Sequence, residues 1–471
     1  MTHLTRREWL HAASALVLLP RNGRGVPRGG PASLFPPPVS RLHRPRPSAA
    51  QLQWQRDEWA LFLHFGVNTF SDREWGHGRE DPVSFMPAAL DAGQWARSAR
   101  AAGFRALILT AKHHDGFCLW PTATTRHSVA ASPWRDGRGD LVREFVDACR
   151  AEGLRPGLYL SPWDRNAPVY GDSPRYNDFY CDQLTELLTR YGPLAEVWFD
   201  GANGEGPNGK RQMYDWPRVF GLVRRLQPGA VVFSDAGPDV RWIGNERGSA
   251  GDPNWSTVNP DVVPFPGADG PEVIRMLQHG DPAGTVWRPG ETDVSIRPGW
   301  FYHPAEDARV KSVDELLEIH FASVGRNSKL LLNVPPTREG LLHPVDVARL
   351  KGFEARVRNL FAEDFARGRP LRRKLAGSEA GVWELDLGRT VTVGIAALEE
   401  EISEGQSVAR YRLEGRRDGA AWTTLSRGQT IGYRKLDRFP GRAVRWLRLM
   451  VEEALAEPRI RRLGMFQPVP L

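Results

Sequence analysis

The sequence predicts an α/β protein, a (β/α)8-like barrel followed by a C-terminal β-sandwich. Two patterns support this prediction. From residue 51 to about residue 357, short apolar runs alternate with amphipathic segments, which is typical of strand–helix units around a parallel sheet. After about residue 366, the runs are short, apolar and polar residues alternate within them, and turns separate them. A chain of 471 residues, 41% of them hydrophobic, is long enough to form both domains.

The barrel elements follow one another along the chain. Strands are predicted at residues 61–66, 106–110, 156–160, 196–199, 230–233 and 330–334, and helices at 87–102, 140–152, 177–191, 213–226 and 313–324. An open doubly wound sheet is the alternative, but no glycine-rich phosphate loop follows the first strand. Residues 245–296 are too irregular to assign barrel strands six and seven. The sandwich strands are predicted at residues 382–387, 408–413, 422–425 and 444–451.

The predicted domains are residues 48–365 for the barrel and 366–471 for the sandwich, preceded by a targeting segment at residues 1–47. Paired arginines, Arg6 and Arg7, precede a short apolar run at residues 12–19, and a Pro/Gly-rich linker follows. This pattern predicts an export signal of the twin-arginine type and a periplasmic protein, with a frayed amphipathic helix as the alternative. No apolar run reaches the length of a membrane span.

Composition limits the possible partners. The 63 basic and 56 acidic residues give a formal charge of +7, and the basic residues are spread along the chain, so we expect no nucleic-acid partner. Three cysteines are too few for a disulfide scaffold. The 17 tryptophans fit either the core or a cleft in which indole rings stack on a sugar. No feature of the sequence predicts an oligomeric state.

Polar and aromatic side chains follow each of the first five predicted strands. The carboxyl ends of barrel strands meet at one mouth, where barrel active sites lie. Histidines and carboxylates at this mouth would bind hydroxyls and aromatic rings would stack on a sugar ring, so the pattern predicts a polyol pocket. The residues concerned are His64, Glu74, Trp75, His113, His114, Tyr159, Trp163, Trp198, Asp200, Asp235, Trp242 and Glu246.

Two carboxylates suffice for glycoside hydrolysis, one as nucleophile and one as acid/base. Asp200 is the nucleophile candidate because it directly follows an apolar strand, and a turn or cap residue is the alternative. Glu246 is the acid/base candidate because it lies on a glycine-containing loop near Trp242, whereas a surface glutamate is the alternative. Glu205 and Glu291 are rival candidates.

The tandem histidines, His113 and His114, admit three interpretations. Adjacent residues on a strand point to opposite faces, so the pair is poorly suited to one metal ion. Core packing is the second interpretation, and binding of substrate hydroxyls is the favoured one. We therefore expect no metal and no cofactor.

Five strings together resemble the retaining α-L-fucosidases of glycoside hydrolase family 29: residues 63–66 (LHFG), 74–75 (EW), 112–117 (KHHDGF), 198–201 (WFDG) and 331–336 (LLNVPP). The resemblance covers residues 51–365, and a C-terminal β-sandwich is also typical of the family. It implies a barrel enzyme that releases terminal α-linked L-fucose with net retention. Asp200 matches the nucleophile position. His64, Glu74, Trp75, His113, His114, Tyr159 and Trp198 match the family's fucose-binding positions, and Trp300, in residues 296–300 (IRPGW), matches a further aromatic of the pocket. Trp242 and Arg297 complete the predicted substrate-binding set.

Three further strings, at residues 241–246, 411–415 and 430–435, resemble the subgroup that acts on α-1,3/1,4-fucosyl branches. The first string implies that Glu246 is the acid/base. The implied substrate is a branched, Lewis-type oligosaccharide or glycoconjugate. The alternatives are a broad-specificity fucosidase that includes α-1,2 linkages, a catalytically silent fucose-binding protein, and another retaining glycosidase such as a galactosidase.

Overall fold

The computed structural model describes residues 44–374 and 380–469. Residues 1–43, which hold the predicted export signal and most of the linker, lie outside the described residues. The first described helix, α1 (Ala49–Asp57), begins at a capping box in which the Ser48 hydroxyl accepts from the Gln51 backbone and the Gln51 side chain accepts from the Ser48 backbone.

Eight strands close a parallel barrel, as the sequence predicts. Around the barrel the order is β1-β10-β9-β6-β5-β4-β3-β2, and β7 pairs with β8 in a separate antiparallel ribbon. In chain order these strands are β1 (Trp59–Leu63), β2 (Ala106–Lys112), β3 (Arg155–Leu160), β4 (Glu196–Trp198), β5 (Val231–Ser234), β6 (Val240–Trp242), β7 (Thr257–Val258), β8 (Val286–Trp287), β9 (Gly290–Ser295) and β10 (Ser328–Asn333).

Helices cover the outside of the barrel because their apolar faces pack on strands that are buried on both sides. Side-chain oxygens of Asp91, Asp140 and Ser312 cap three of them. The helices after α1 are α2 (Val67–Ser71), α3 (Ala92–Ala101), α4 (Leu141–Ala151), α5 (Ser173–Arg190), α6 (Trp216–Leu226), α7 (Pro271–His279), α8 (Val313–Ala322) and α9 (Pro344–Leu360). No helix within the described ranges combines the length and apolarity that crossing a bilayer requires.

Strands β6 and β9 are the two barrel strands that the sequence pattern does not assign. Strand β6 has three residues, and its central Arg241 is buried, with its guanidinium bound by the carbonyls of Leu277 and Trp255 and by the Asn254 side chain. Strand β9 is rich in polar residues, yet all six of its residues are buried. Trp242 therefore ends the sixth barrel strand. The segment with Glu246 follows this sixth strand, whereas the sequence pattern places it after the fifth.

The C-terminal domain is an antiparallel sheet with strand order β11-β12-β15-β13-β14 and β16 paired to β12. Two strands are much longer than the sequence suggests, because register shifts near their middles let each one join two halves of the sheet. Side chains from both halves, such as Leu385 and Leu463, share one core. The strands are β11 (Arg372–Lys374), β12 (Gly381–Glu400), β13 (Val408–Arg416), β14 (Thr423–Gly428), β15 (Lys435–Ala454) and β16 (Ile460–Phe466).

This domain packs on the barrel through an apolar cluster, in which Leu317 and Phe321 of α8 meet Leu436 and Phe466 of the sheet, and through polar contacts. The Arg434 guanidinium bridges Glu58, just before β1, and Glu399 of β12. The segment after β6 also joins the C-terminal domain, since the Asn254 backbone donates to Thr430 and the Ser256 backbone donates to the Gln406 side chain. The two domains are thus held together at several points.

Candidate active site

A pocket of about 310 Å³ opens at the carboxyl ends of the barrel strands. Residues from the loops after seven of the eight barrel strands line it, as expected for a barrel active site. Of the predicted site residues, the lining includes His64, Glu74, Trp75, His113, His114, Trp198, Asp200, Trp242, Glu246, Arg297 and Trp300. Tyr159 is buried directly behind it, with its hydroxyl 3.4 Å from Asp200 Oδ2.

Asp200 lies two residues beyond the end of β4, and three groups surround its carboxylate. Oδ1 accepts a 2.6 Å hydrogen bond from the Ala202 backbone. Oδ2 faces the Tyr159 hydroxyl and lies 4.0 Å from His114 Nε2. The side chain is only 10% exposed, so it is held in one orientation and is still open to the pocket.

Glu246 enters the same pocket on a different loop, four residues beyond β6. The chain turns at Gly244, whose φ of +80° suits glycine. Of the rival carboxylates, Glu291 is fully buried in the barrel interior, where its Oε1 accepts from Trp198 Nε1. The backbone carbonyl of Glu205 accepts from Trp163, and neither rival lines the pocket.

His64 is a neutral hydrogen-bond acceptor. Asn333 Nδ2 donates to the Trp300 carbonyl, so Asn333 Oδ1 is an acceptor and the proton of His64 lies on Nδ1, 2.8 Å away. Nε2 therefore carries a lone pair. Burial lowers the pKa of His64 to about 4, and the ring stays uncharged at neutral pH.

His113 and His114 both line the pocket, contrary to the argument that neighbours in a strand face opposite ways. They follow the last residue of β2, and their ring centroids lie 4.1 Å apart. His114 Nδ1 donates to the Ser161 hydroxyl, because that hydroxyl donates onward to the Trp163 carbonyl. Over residues 44–374 and 380–469, no three His, Cys, Asp or Glu side chains form a metal-binding group.

Glu74 anchors one wall of the pocket. Its carboxylate accepts from the backbone N–H groups of Trp300 and Phe301 at 2.8 and 3.1 Å, and from His303 Nε2 at 2.7 Å. The bond to Glu74, together with the one to Asp72, raises the pKa of His303 to about 9. His303 is an active-site contributor that the sequence argument missed, because it is not adjacent to any predicted strand end.

Tryptophan rings form much of the remaining wall. Trp198 stacks on Phe233 with centroids 4.2 Å apart, so it belongs both to the core and to the pocket. Trp242 donates from Nε1 to Asp293, a lining carboxylate on the unassigned strand β9. Trp163 lines the pocket beside His114, with ring centroids 4.9 Å apart.

Arg297 differs from the other predicted substrate-binding residues. Its guanidinium is buried and donates to Asp346 and Asp307 at 2.8 and 2.7 Å. These two carboxylates hold the guanidinium in place, so Arg297 braces the loop that carries Trp300.

The pocket combines imidazole rings, carboxylates and aromatic faces, and this combination suits the binding of a sugar. Two of its carboxylates, Asp200 and Glu246, lie on separate loops, and such a pair suits cleavage of a glycosidic bond.

The α-L-fucosidase family model matches residues 48–356. A rice protein (Oryza sativa subsp. japonica), provisionally named alpha-L-fucosidase 1, is 48% identical over 93% of this chain and 87% of its own length. Alpha-L-fucosidase 1 of Arabidopsis thaliana is 42% identical over 90% of this chain and 87% of its own.

Solved structures agree. A Ruminococcus gnavus glycoside hydrolase family 29 fucosidase, solved in complex with fucose, superposes with a TM-score of 0.82 at 31% identity, covering 91% of this chain and 96% of that one. A family 29 member from an unknown rumen bacterium superposes with a TM-score of 0.84 at 41% identity, covering 91% and 78%. The chain therefore belongs to the α-L-fucosidase family, and it is a glycoside hydrolase that acts on fucosylated glycans.

Proposed function

We propose that this protein is a retaining exo-α-L-fucosidase that releases terminal α-1,3- or α-1,4-linked L-fucose from branched, Lewis-type glycans. The observation that carries the proposal is the fixed carboxylate of Asp200 at the pocket, with Glu246 on a separate loop of the same pocket. The linkage preference rests on the likeness of residues 241–246 to the corresponding loop of that subgroup.

In this mechanism Asp200 attacks the anomeric carbon while Glu246 protonates the departing oxygen. Glu246 then deprotonates a water, which hydrolyses the fucosyl-enzyme. Retention requires the two carboxyl groups to lie about 5–5.5 Å apart in the working enzyme. The lone pair on His64 Nε2 would accept from a fucose hydroxyl, and the Trp300 ring beside it would pack on the sugar.

Replacing Asp200 and Glu246 separately tests these two roles. Asp200→Ala is expected to lower turnover by at least about a thousandfold, because the nucleophile is lost. Azide should partly rescue Glu246→Ala on an activated aryl fucoside and yield a fucosyl azide of the substrate's own anomeric configuration. With Asp200→Ala, azide should give the opposite anomer. Normal turnover by Asp200→Ala would refute the assignment.

The linkage is tested by product analysis on Lewis a and Lewis x trisaccharides beside 2′-fucosyllactose. We expect free fucose from the first two and little from the third. Fucose release from 2′-fucosyllactose alone would overturn the linkage proposal and leave the fucosidase activity standing.

We also propose that residues 1–47 direct export to the periplasm by the twin-arginine route, on the basis of Arg6, Arg7 and the apolar run that follows. Replacing both arginines by lysine is expected to retain the enzyme in the cytoplasm, as measured by fucosidase activity in fractionated cells. Unchanged periplasmic activity of this variant would contradict the route.

A further inference from the structure

Two exposed arginines, Arg211 and Arg247, lie at the rim of the pocket. They come from different loops, Arg211 from the segment between β4 and α6 and Arg247 from the segment after β6. Among residues 44–374 and 380–469, no carboxylate oxygen lies within 4.0 Å of either guanidinium. Many exposed arginines elsewhere in the protein do have such a partner, as Arg97 has in Asp91 and Arg218 has in Asp178.

The other two cations of the pocket are already engaged. Arg297 is bound to Asp346 and Asp307, and Lys311 Nζ donates to the Ser295 carbonyl at 2.7 Å. Arg211 and Arg247 are therefore the lining cations whose hydrogen-bond donors face solvent, within the described part of the chain.

Charge is divided within the pocket. The carboxylates that line it are Glu74, Asp200, Asp235, Glu246 and Asp293, and all except half-buried Glu74 and Glu246 are buried. The two free guanidinium groups are exposed. If fucose occupies the interior, the saccharide to which it is attached extends past the rim. A planar guanidinium fork matches a carboxylate or a sulfate ester, and exposed cations also steer an anion toward the site.

We propose that Arg211 and Arg247 form a subsite for an acidic group, a carboxylate or a sulfate ester, on the saccharide next to the fucose. The enzyme then prefers fucosylated glycans that carry a negative charge close to the scissile bond. This inference rests on the proposed fucosidase function and adds a substrate class to it.

The test compares kcat/KM for three forms of one Lewis-type trisaccharide: neutral, 3′-sulfated and 3′-sialylated. At low salt, the anionic form that the subsite takes is expected to react about tenfold faster than the neutral form, as one or two charge-assisted hydrogen bonds predict. The advantage should shrink as ionic strength rises, because both arginines are exposed. Whichever of the two anionic forms gains the advantage identifies the source of the charge.

In the double variant Arg211→Ala/Arg247→Ala, the preference should vanish while the rate on the neutral trisaccharide stays within about twofold. Arg225→Ala on α6 is the matched control, since it removes the same charge from an exposed arginine that does not line the pocket. It should keep the preference.

Equal rates on all three trisaccharides at low salt would overturn the inference. So would a double variant that loses activity equally on neutral and anionic forms. Failure of the wild-type enzyme to release fucose even from the neutral trisaccharide and from an aryl fucoside would instead count against the proposed function.

Discussion

At the scale of single residues, the pocket depends on groups whose charge is set by their surroundings. His303 is an example, since it donates to both Asp72 and Glu74, and Glu74 in turn holds the backbone of Trp300 and Phe301. The pKa of His303 is raised to about 9, mainly by its hydrogen bond to Glu74, whereas an unfolded histidine titrates near 6.5. The stability it contributes is therefore complete below pH 6.5 and is lost as the pH rises through about 9.

We predict that KM for a fucoside rises above pH 9, because the Glu74 anchor loosens when His303 loses its proton. His303→Gln keeps a donor but carries no charge, so its KM should be raised at pH 7 and should change little between pH 7 and 10. Steady-state kinetics over this range check both statements. A wild-type KM that is flat to pH 10 would show that the ion pair does not hold the wall.

At the scale of elements, the connection after β4, at residues 199–215, places the nucleophile candidate, and its shape leaves no space at Gly201. A Cβ added there would lie 2.0 Å from Asp235 Oδ2 and 2.7 Å from the Gly267 backbone nitrogen. Asp235 Oδ2 already accepts from that nitrogen at 3.0 Å. Any side chain at position 201 must therefore displace Asp235 or the backbone next to Asp200.

Gly201→Ala is expected to lower kcat by about a hundredfold, since a shift of about 1 Å at a reacting group can cost that much. Thermal unfolding should be nearly unchanged, because the loop is not part of the barrel core. Gly229→Ala is the matched control, as its Cβ would meet no atom within 4 Å. Full activity of Gly201→Ala would mean that the loop adapts without moving Asp200.

The elements also show what can be predicted from the sequence. Apolar strands such as β2 and β10 can be predicted from their composition. The site residues after them can be predicted because active sites of barrels lie at the carboxyl ends of the strands. Strand β6 is three residues long and contains a buried arginine, and β9 contains Glu291 and Asp293, so periodicity could not find either. Because the sequence pattern does not assign β9, it does not predict Asp293 as a lining residue. The pairing of His303 with Glu74 joins residues 229 positions apart, so no local sequence pattern could predict it.

At the scale of the whole molecule, the barrel is tied together at its centre by a buried cluster of charges. Lys329 Nζ of β10 lies 2.9 Å from Glu196 Oε2 of β4 and 3.5 Å from Glu291 Oε2 of β9. Trp54 of α1 donates to Glu196, and Trp198 donates to Glu291. Burial, with the neighbouring Glu196 charge, raises the pKa of Glu291 well above its usual value.

Lys329→Met is predicted to lower the free energy of unfolding by about 3–5 kcal/mol, because it leaves buried carboxylates without their cation. The loss should be greater at pH 8 than at pH 6, since protonation relieves the repulsion. Denaturant unfolding at the two pH values measures it. Adding Glu196→Gln to Lys329→Met should recover part of the loss, and a purely additive double variant would contradict the coupling.

The contacts between the barrel and the C-terminal domain have a consequence for engineering. The segment that leaves β6 carries Glu246 and, within eight residues, the Asn254 that is bonded to Thr430 of the C-terminal domain. The two domains are consequently poor candidates for exchange as separate modules. A chimera that swaps the C-terminal sheet with that of a relative must also import the partner residues on this segment, or the loop that carries Glu246 loses its support.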